Sequence, residues 1–167
     1  LHGRDNRTKA RAVIDKTGKV HALAVTVHAN MGSWLSNFST YIPTLSGSRT
    51  LTTNYAIPVA SLRVLGIMTN TPAVDAYRGA GRPEAIYAIE RLIDFAAQEI
   101  GISPDEMRRR NLIPADAMPF TTAFDLEYDS GEFQQHMEQA LEESGWHSFK
   151  QRQSESAARN KLRGIGM

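Results

Sequence analysis

The chain has 167 residues, of which 41% are hydrophobic and 22% charged, with 19 Lys and Arg against 18 Asp and Glu. This near balance excludes the clustered basic excess of a nucleic-acid-binding surface. Because Cys is absent, disulfides, thiolate metal sites and thiol catalysis are excluded within the chain. The length and composition predict a single domain over residues 1–167.

The two ends favour an internal fragment of a larger protein. The chain begins at Leu1 in a polar, turn-like stretch and stops at Gly164-Ile165-Gly166-Met167, which resembles a strand at its beginning. No apolar run reaches the roughly 18 residues of a membrane span, and no charged and then apolar leader opens the sequence. We therefore expect a cytoplasmic protein.

A β-hairpin is predicted first. Residues 8–14 and 20–29 alternate apolar and polar side chains, and residues 15–19 between them have the composition of a turn. The odd-numbered face of the second strand, with Leu23 and Val25, is the more apolar one and is expected to be buried.

The next segment changes from irregular to extended. Residues 30–53 lack a period, so we expect short helical turns held in place by the aromatic side chains Trp34, Phe38 and Tyr41. Such a loop often forms a wall of a site, and a packed connection without such a role is the alternative. Residues 55–68 are extended and strand-like from Leu62, and Pro58 indicates the start or edge of a sheet.

Helices follow. The strongest runs from Pro83 to Ile100 and ends at Gly101, and its expected apolar face consists of Ile86, Ile89, Leu92, Ile93, Ala96 and Ile100. A capping box, Ser103 with Glu106, predicts a short second helix. Its run Arg108-Arg109-Arg110 is expected to be exposed, with one arginine paired to a carboxylate, and a phosphate site is the alternative.

Two more helices are predicted towards the C-terminus. Ser130 is expected to cap one that ends at Gly145, and a polar surface helix packed through Trp146 and Phe149 extends to Asn160. A β-hairpin and further strands, then several helices and a returning strand, define an α+β fold class.

The chain is arranged around one stretch between strand and helix, Asp75-Ala76-Tyr77-Arg78-Gly79-Ala80-Gly81-Arg82-Pro83-Glu84. Gly79 and Gly81 permit a positive φ or a close approach to a ligand, and Pro83 suits a first helical turn. A glycine loop at a helix N-terminus presents N–H groups to an anion. The residues alone indicate an anion or cofactor cradle, or a simple glycine turn.

Other sites are weakly supported. The loop has only the first two glycines of the dinucleotide fingerprint, since Glu84 occupies the third position. No metal-ligand spacing is present among the five histidines, and no metal ligand is predicted at His2, His21, His28, His136 or His147. A nucleotide- or phosphate-binding module and a structural, subunit-docking module are the alternatives that remain.

The sequence resembles the molybdenum hydroxylases, the family of xanthine dehydrogenase and aldehyde oxidoreductase. It is most similar to the aerobic carbon monoxide dehydrogenase-like branch, over nearly the whole chain. The similar stretches occur in the family's order: Tyr55-Ala56-Ile57-Pro58, Thr69-Asn70-Thr71-Pro72, Asp75 to Glu84, Ile89-Glu90-Arg91-Leu92-Ile93-Asp94, Arg108-Arg109-Arg110-Asn111-Leu112-Ile113-Pro114 and Tyr128-Asp129-Ser130-Gly131.

The resemblance implies a part of the molybdopterin-binding large subunit. In this family a molybdenum centre on a pterin dithiolene, here expected in the cytosine dinucleotide form, hydroxylates a carbon with water-derived oxygen. Electrons pass to iron–sulfur clusters and FAD, usually on a small and a medium subunit. The implied cofactor-binding residues are Tyr77, Arg78, Gly79, Ala80 and Gly81, with Arg78 beside the molybdenum ligands.

Departures from the family narrow the substrate. Copper-dependent carbon monoxide oxidisers carry a cysteine at the position of Gly79. Purine-oxidising members carry a phenylalanine at Ala80 and an arginine at a position that aligns with Ser46. These differences imply that neither carbon monoxide nor a purine is oxidised, and they leave a small aldehyde or an N-heterocycle.

The resemblance implies no catalytic residue in this chain. The family's general base is a glutamate near the end of the full subunit, and a glycine-rich cofactor loop precedes the present segment. Glu84 does not take the role of that base. We therefore expect the isolated chain to be inactive and to hold no cofactor tightly.

Overall fold

The computed structural model describes residues 3–167, so Leu1 and the expectation for His2 lie outside the described residues. The elements in chain order are β1 Asn6–Ile14, β2 Val20–Gly32, β3 Val59–Met68, α1 Arg82–Ile100, α2 Pro104–Arg109, β4 Phe120–Thr121, β5 Glu127–Tyr128, α3 Phe133–Glu143 and α4 Phe149–Ala157. Short helical turns occupy Ile42–Ser46, Ser48–Thr50, Ala115–Ala117 and Trp146–Ser148. The predicted α+β class is confirmed.

The main sheet has the order β1-β2-β3. β1 and β2 form the predicted antiparallel hairpin, and β3 returns parallel to β2. The odd-numbered face of β2 is buried, as predicted, with Leu23 and Val25 at 2% and 3% exposure. Pro58 lies directly before β3, an edge strand, where its missing N–H costs no ladder hydrogen bond.

Helix α1 packs on this sheet along a narrow stripe. The buried residues are Ala85, Ile89, Ile93 and Ala97, four residues apart. Ile86, assigned to the apolar face from the sequence, is 44% exposed, so that assignment is wrong. Side chains four residues apart form a ridge along a helix. α1 packs on the sheet through the ridge that starts at Ala85, one residue before Ile86. Gly101 ends the helix with φ 81°, as predicted.

Residue Arg108 joins α2 to α1. Its side chain is 4% exposed and lies 2.7 Å from Glu90 Oε2 and 2.9 Å from Asp94 Oδ1. The Tyr55 hydroxyl donates to Glu90 Oε1 at 2.9 Å, and burial together with that carboxylate raises the pKa of Tyr55 above its usual range.

The expected exposed arginine face is therefore wrong. Arg108 is buried, while Arg109 binds Glu106 and Glu138 and Arg110 binds Glu106. Each guanidinium already has a carboxylate partner, because α1, α2 and α3 bring acidic side chains to the run from different parts of the chain. The run is a structural ion-pair network, and no arginine in it is left for a phosphate.

Three further expectations differ from the structure. Trp34, Phe38 and Tyr41 are 57%, 54% and 49% exposed, so residues 30–53 are held instead by the buried side chains of Ile42 and Leu51 and by polar contacts. Examples are the Ser36 hydroxyl donating to the Val74 carbonyl at 2.7 Å and the Ser33 amide donating to the Thr71 carbonyl at 2.9 Å.

The other two differences concern the C-terminal part. Ser130 does not cap α3, which begins at Phe133, since the Ser130 hydroxyl donates to Asp129 Oδ1 at 3.0 Å. Residues 161–167 form no strand, because a strand needs a neighbouring edge and none in residues 3–167 pairs with them.

No helix in the described chain has the length and apolar character needed to cross a membrane.

Candidate functional site

The loop between β3 and α1 has an unusual backbone. Gly79, Ala80 and Gly81 take φ values of 96°, 41° and 95° in succession. The positive φ predicted at the two glycines is confirmed, and Ala80 is a non-glycine residue in a strained conformation of the kind that clusters at functional sites. The turn is closed by the Ala80 N–H donating to the Tyr77 carbonyl at 2.8 Å and the Arg82 N–H donating to the Gly79 carbonyl at 3.1 Å.

The loop rests on the helical turn Ile42–Ser46. A Cβ atom at Gly81 would lie 2.5 Å from the Ile42 carbonyl oxygen and 2.9 Å from the Gly47 nitrogen. Only glycine therefore permits this approach of two backbones. The Arg82 side chain adds a hydrogen bond to the Ser46 hydroxyl at 3.3 Å. Residues 42–47 form the rear wall of the loop.

Arg4 holds the loop from its other side. Its guanidinium donates to the Arg78 carbonyl, lies 4.8 Å from the centre of the Tyr77 ring and lies 3.9 Å from Glu84 Oε2. Sequence reasoning missed Arg4, which was assigned only to a polar turn. Its role depends on a contact across 74 residues of chain, which no local pattern reports.

The side chain of Arg78 takes no part in these supports. It is exposed and forms neither an ion pair nor a hydrogen bond with any of residues 3–167. The amides of Gly79 and Gly81 likewise have no acceptor in that part of the chain. A cation and backbone donors at the N-terminus of a 19-residue helix suit an anionic ligand.

The donor set is smaller than the sequence suggested, because the Ala80 and Arg82 amides are used inside the turn. Tyr77 is 64% exposed and Ala80 is half-buried, so both border the open side of the loop. The structure thus brings together the five predicted residues, Tyr77, Arg78, Gly79, Ala80 and Gly81, although Gly81 is buried against the rear wall.

Glu84 lies behind the loop. Its Oε2 atom is buried and accepts no hydrogen bond from residues 3–167, with Arg4 as its nearest cation. The first turn of α1 stabilises a carboxylate through the helix dipole. That Glu84 does not act as the general base stays a prediction. Among the described residues, no three His, Asp or Glu side chains converge as metal ligands do.

Comparisons with known proteins show the family of this chain. The family model for the molybdopterin cofactor-binding domain matches residues 1–112. The 6-hydroxypseudooxynicotine dehydrogenase complex subunit gamma of Paenarthrobacter nicotinovorans is 28% identical over 171 residues, which is 99% of this chain and 21% of that protein. The carbon monoxide dehydrogenase large chain of Hydrogenophaga pseudoflava is 36% identical over 122 residues, covering 68% of this chain and 15% of that protein.

A solved structure shows the same fold. Quinoline 2-oxidoreductase from Pseudomonas putida 86 superimposes with a TM-score of 0.86 at 28% identity, over 94% of this chain and 20% of that one. The chain therefore belongs to the molybdopterin cofactor-binding domain family of the molybdenum hydroxylases, and the predicted resemblance is confirmed. It spans about one fifth of the length of these proteins.

Proposed function

We propose that this chain is part of the molybdopterin-binding large subunit of a molybdenum hydroxylase, and that the loop Tyr77–Gly81 borders its cofactor. The observation that carries the proposal is the unpaired Arg78 side chain on a loop of three consecutive positive φ values at the start of α1. This backbone is strained and supported from two sides. Support of that kind fixes the backbone at Arg78 before any ligand binds.

The residues fit an anionic cofactor. Arg78 and the amide of Gly79 would donate to its oxygen atoms, and a charged donor of this kind stabilises negative charge. When bound, the molybdopterin group, in the proposed cytosine dinucleotide form, supplies a molybdenum centre that hydroxylates a carbon with water-derived oxygen. The chain's own contribution is to orient that group and to border the substrate.

An N-heterocycle or a small aldehyde is the proposed substrate. Small residues at Gly79 and Ala80 leave space on the open side of the loop, without the thiolate or the aromatic ring that the family uses for carbon monoxide and purines. The similarity to a quinoline oxidoreductase supports a heterocyclic ring.

The remaining parts of the enzyme are proposed to come from outside this chain. They are the rest of the large subunit with its catalytic glutamate, an iron–sulfur small subunit and a FAD medium subunit, assembled in the cytoplasm. The isolated chain is proposed to be inactive and to bind no cofactor tightly.

A direct test uses the full-length large subunit with its partner subunits. We expect stoichiometric molybdenum by elemental analysis and oxidation of quinoline or an aldehyde, with no oxidation of carbon monoxide or xanthine. Arg78→Gln should lower kcat/KM by about 10- to 100-fold, the usual effect of removing a group beside a metal centre. Arg7→Gln, an exposed arginine on β1, is the control.

Two results would contradict the proposal. One is a purified full-length subunit without molybdenum that binds a dinucleotide saturably, which favours the phosphate-binding alternative. The other is an Arg78→Gln variant with the kinetic constants of the Arg7→Gln control.

A cysteine at Gly79 is expected not to make the loop a copper site. A Cβ atom there would lie 2.6 Å from Pro83 Cγ, and φ is +96°. Gly79→Cys in the full-length enzyme should therefore lower its molybdenum content without adding copper. A second change, Pro83→Ala, should restore part of the molybdenum, because it removes the contact while the positive φ remains. Elemental analysis of both metals checks this, with Pro83→Ala alone as control. Stoichiometric copper with full molybdenum in the single variant would show that the loop accommodates the side chain.

A further inference from the structure

The outer edge of β1 carries unpaired backbone groups. The Asn30 N–H donates to the Asp5 carbonyl at 3.0 Å, and the register continues as Asn6↔Ala29 and Thr8↔Val27. Hydrogen-bonded and non-hydrogen-bonded pairs alternate in an antiparallel ladder. Residues 7, 9 and 11 therefore direct their amides and carbonyls to β2, whereas residues 6, 8, 10 and 12 direct theirs outward. No strand among residues 3–167 pairs with this edge.

A groove runs along the same edge. It has a volume of about 730 Å3 and lies between β1 and α1. Its strand side consists of Asn6, Thr8 and Ala10, and its helix side includes Tyr87 and Phe95. Tyr87 is 69% exposed and Phe95 is 56% exposed. Outward backbone groups and an aromatic wall thus border one space.

The outward backbone groups of β1 and the groove beside them suit the binding of a polypeptide in extended conformation. Donors and acceptors in strand register pair with another backbone, and alternate side chains of that strand would fill the groove beneath the helix. An exposed edge with an apolar border is also a hazard that folded proteins cover. The full-length relatives are about five times as long as this chain, so a covering strand has an intramolecular source.

We propose that a strand from another part of the parent large subunit pairs with the outer edge of β1 and packs against Tyr87 and Phe95. This assignment rests on the proposed function only in placing the chain within that subunit. Pairing there extends the sheet to four strands and fixes β1, which begins two residues after Arg4. The added strand would therefore anchor the segment with Arg4, which holds the loop Tyr77–Gly81.

Amide hydrogen exchange at single-residue resolution tests this in the full-length large subunit, without its partner subunits. The amides of Thr8, Ala10 and Ala12 are expected to be protected as strongly as those of Lys9 and Arg11. The proposal is overturned if Thr8 and Ala10 exchange as fast as exposed backbone while Lys9 and Arg11 stay protected. It is also overturned if the protection disappears on dilution, which indicates a second copy, or requires a partner subunit.

Variants in the groove wall give a second test. Tyr87→Asp and Phe95→Asp should remove the protection of Thr8 and Ala10 and leave Lys9 and Arg11 protected. Ile86→Asp, on the same helix but outside the groove, should change none of them. Equal exchange in all three variants would contradict the strand's position. Molybdenum is measured on the same samples, so a subunit that lacks it contradicts the proposed function without changing the outcome at β1.

Discussion

Replacing Arg108 with Met is expected to lower the free energy of unfolding of this chain by about 3 kcal/mol, the lower end of the range for breaking a buried ion pair. The variant leaves Glu90 and Asp94 without the cation that they share. Both carboxylates retain some contact with water, at 26% and 33% side-chain exposure, which keeps the loss at that lower end. Urea unfolding followed by tryptophan fluorescence measures it.

Arg91→Met is the matched control. Arg91 lies 3.5 Å from the same Asp94 carboxylate, but its side chain is 49% exposed, so the change should cost less than about 1 kcal/mol. Equal losses for the two variants would show that burial does not determine the strength of this network. A large effect at Arg108 would also concern the proposed cofactor site. The ion pairs of Arg108 hold α1 in place, and the loop Tyr77–Gly81 directly precedes α1.

Gly81→Ala is expected to have the largest effect on the proposed cofactor site. The added Cβ would lie 2.5 Å from the Ile42 carbonyl oxygen at a φ of 95°. A left-handed conformation and an overpacked contact together cost about 2 to 5 kcal/mol. Because the loop must move away from residues 42–47 to relieve the contact, Arg78 moves with it. The full-length enzyme should therefore lose most of its molybdenum, as measured by elemental analysis.

Gly101→Ala separates conformation from contact. Gly101 also has a positive φ, 81°, but a Cβ there meets no atom within 4 Å. Its cost should be limited to the left-handed conformation, about 1 to 2 kcal/mol, with molybdenum retained. Retention of molybdenum by Gly81→Ala at the level of Gly101→Ala would show that the contact with Ile42 does not position the loop.

Features that depend on neighbouring residues could be predicted from the sequence alone. The alternation in β2 reports which face is buried, Ser103 accepts from the Glu106 amide as its capping position indicates, and Gly79 and Gly81 have the predicted positive φ. The five-residue loop could also be located from the sequence, since its residue types are contiguous. Chain geometry over a few residues is sufficient for each of these.

Only the tertiary structure decided which partners the long side chains bind, which aromatic side chains are exposed and which strand edge has no neighbour. Arg108 was expected on a surface and is buried, and Trp34 was expected to hold its segment and is exposed. Arg4 supports Arg78 across 74 residues, and the free edge of β1 depends on which strands are its neighbours. These outcomes follow from how helices and strands dock on one another, and the energies that set docking come from contacts between residues far apart in the chain.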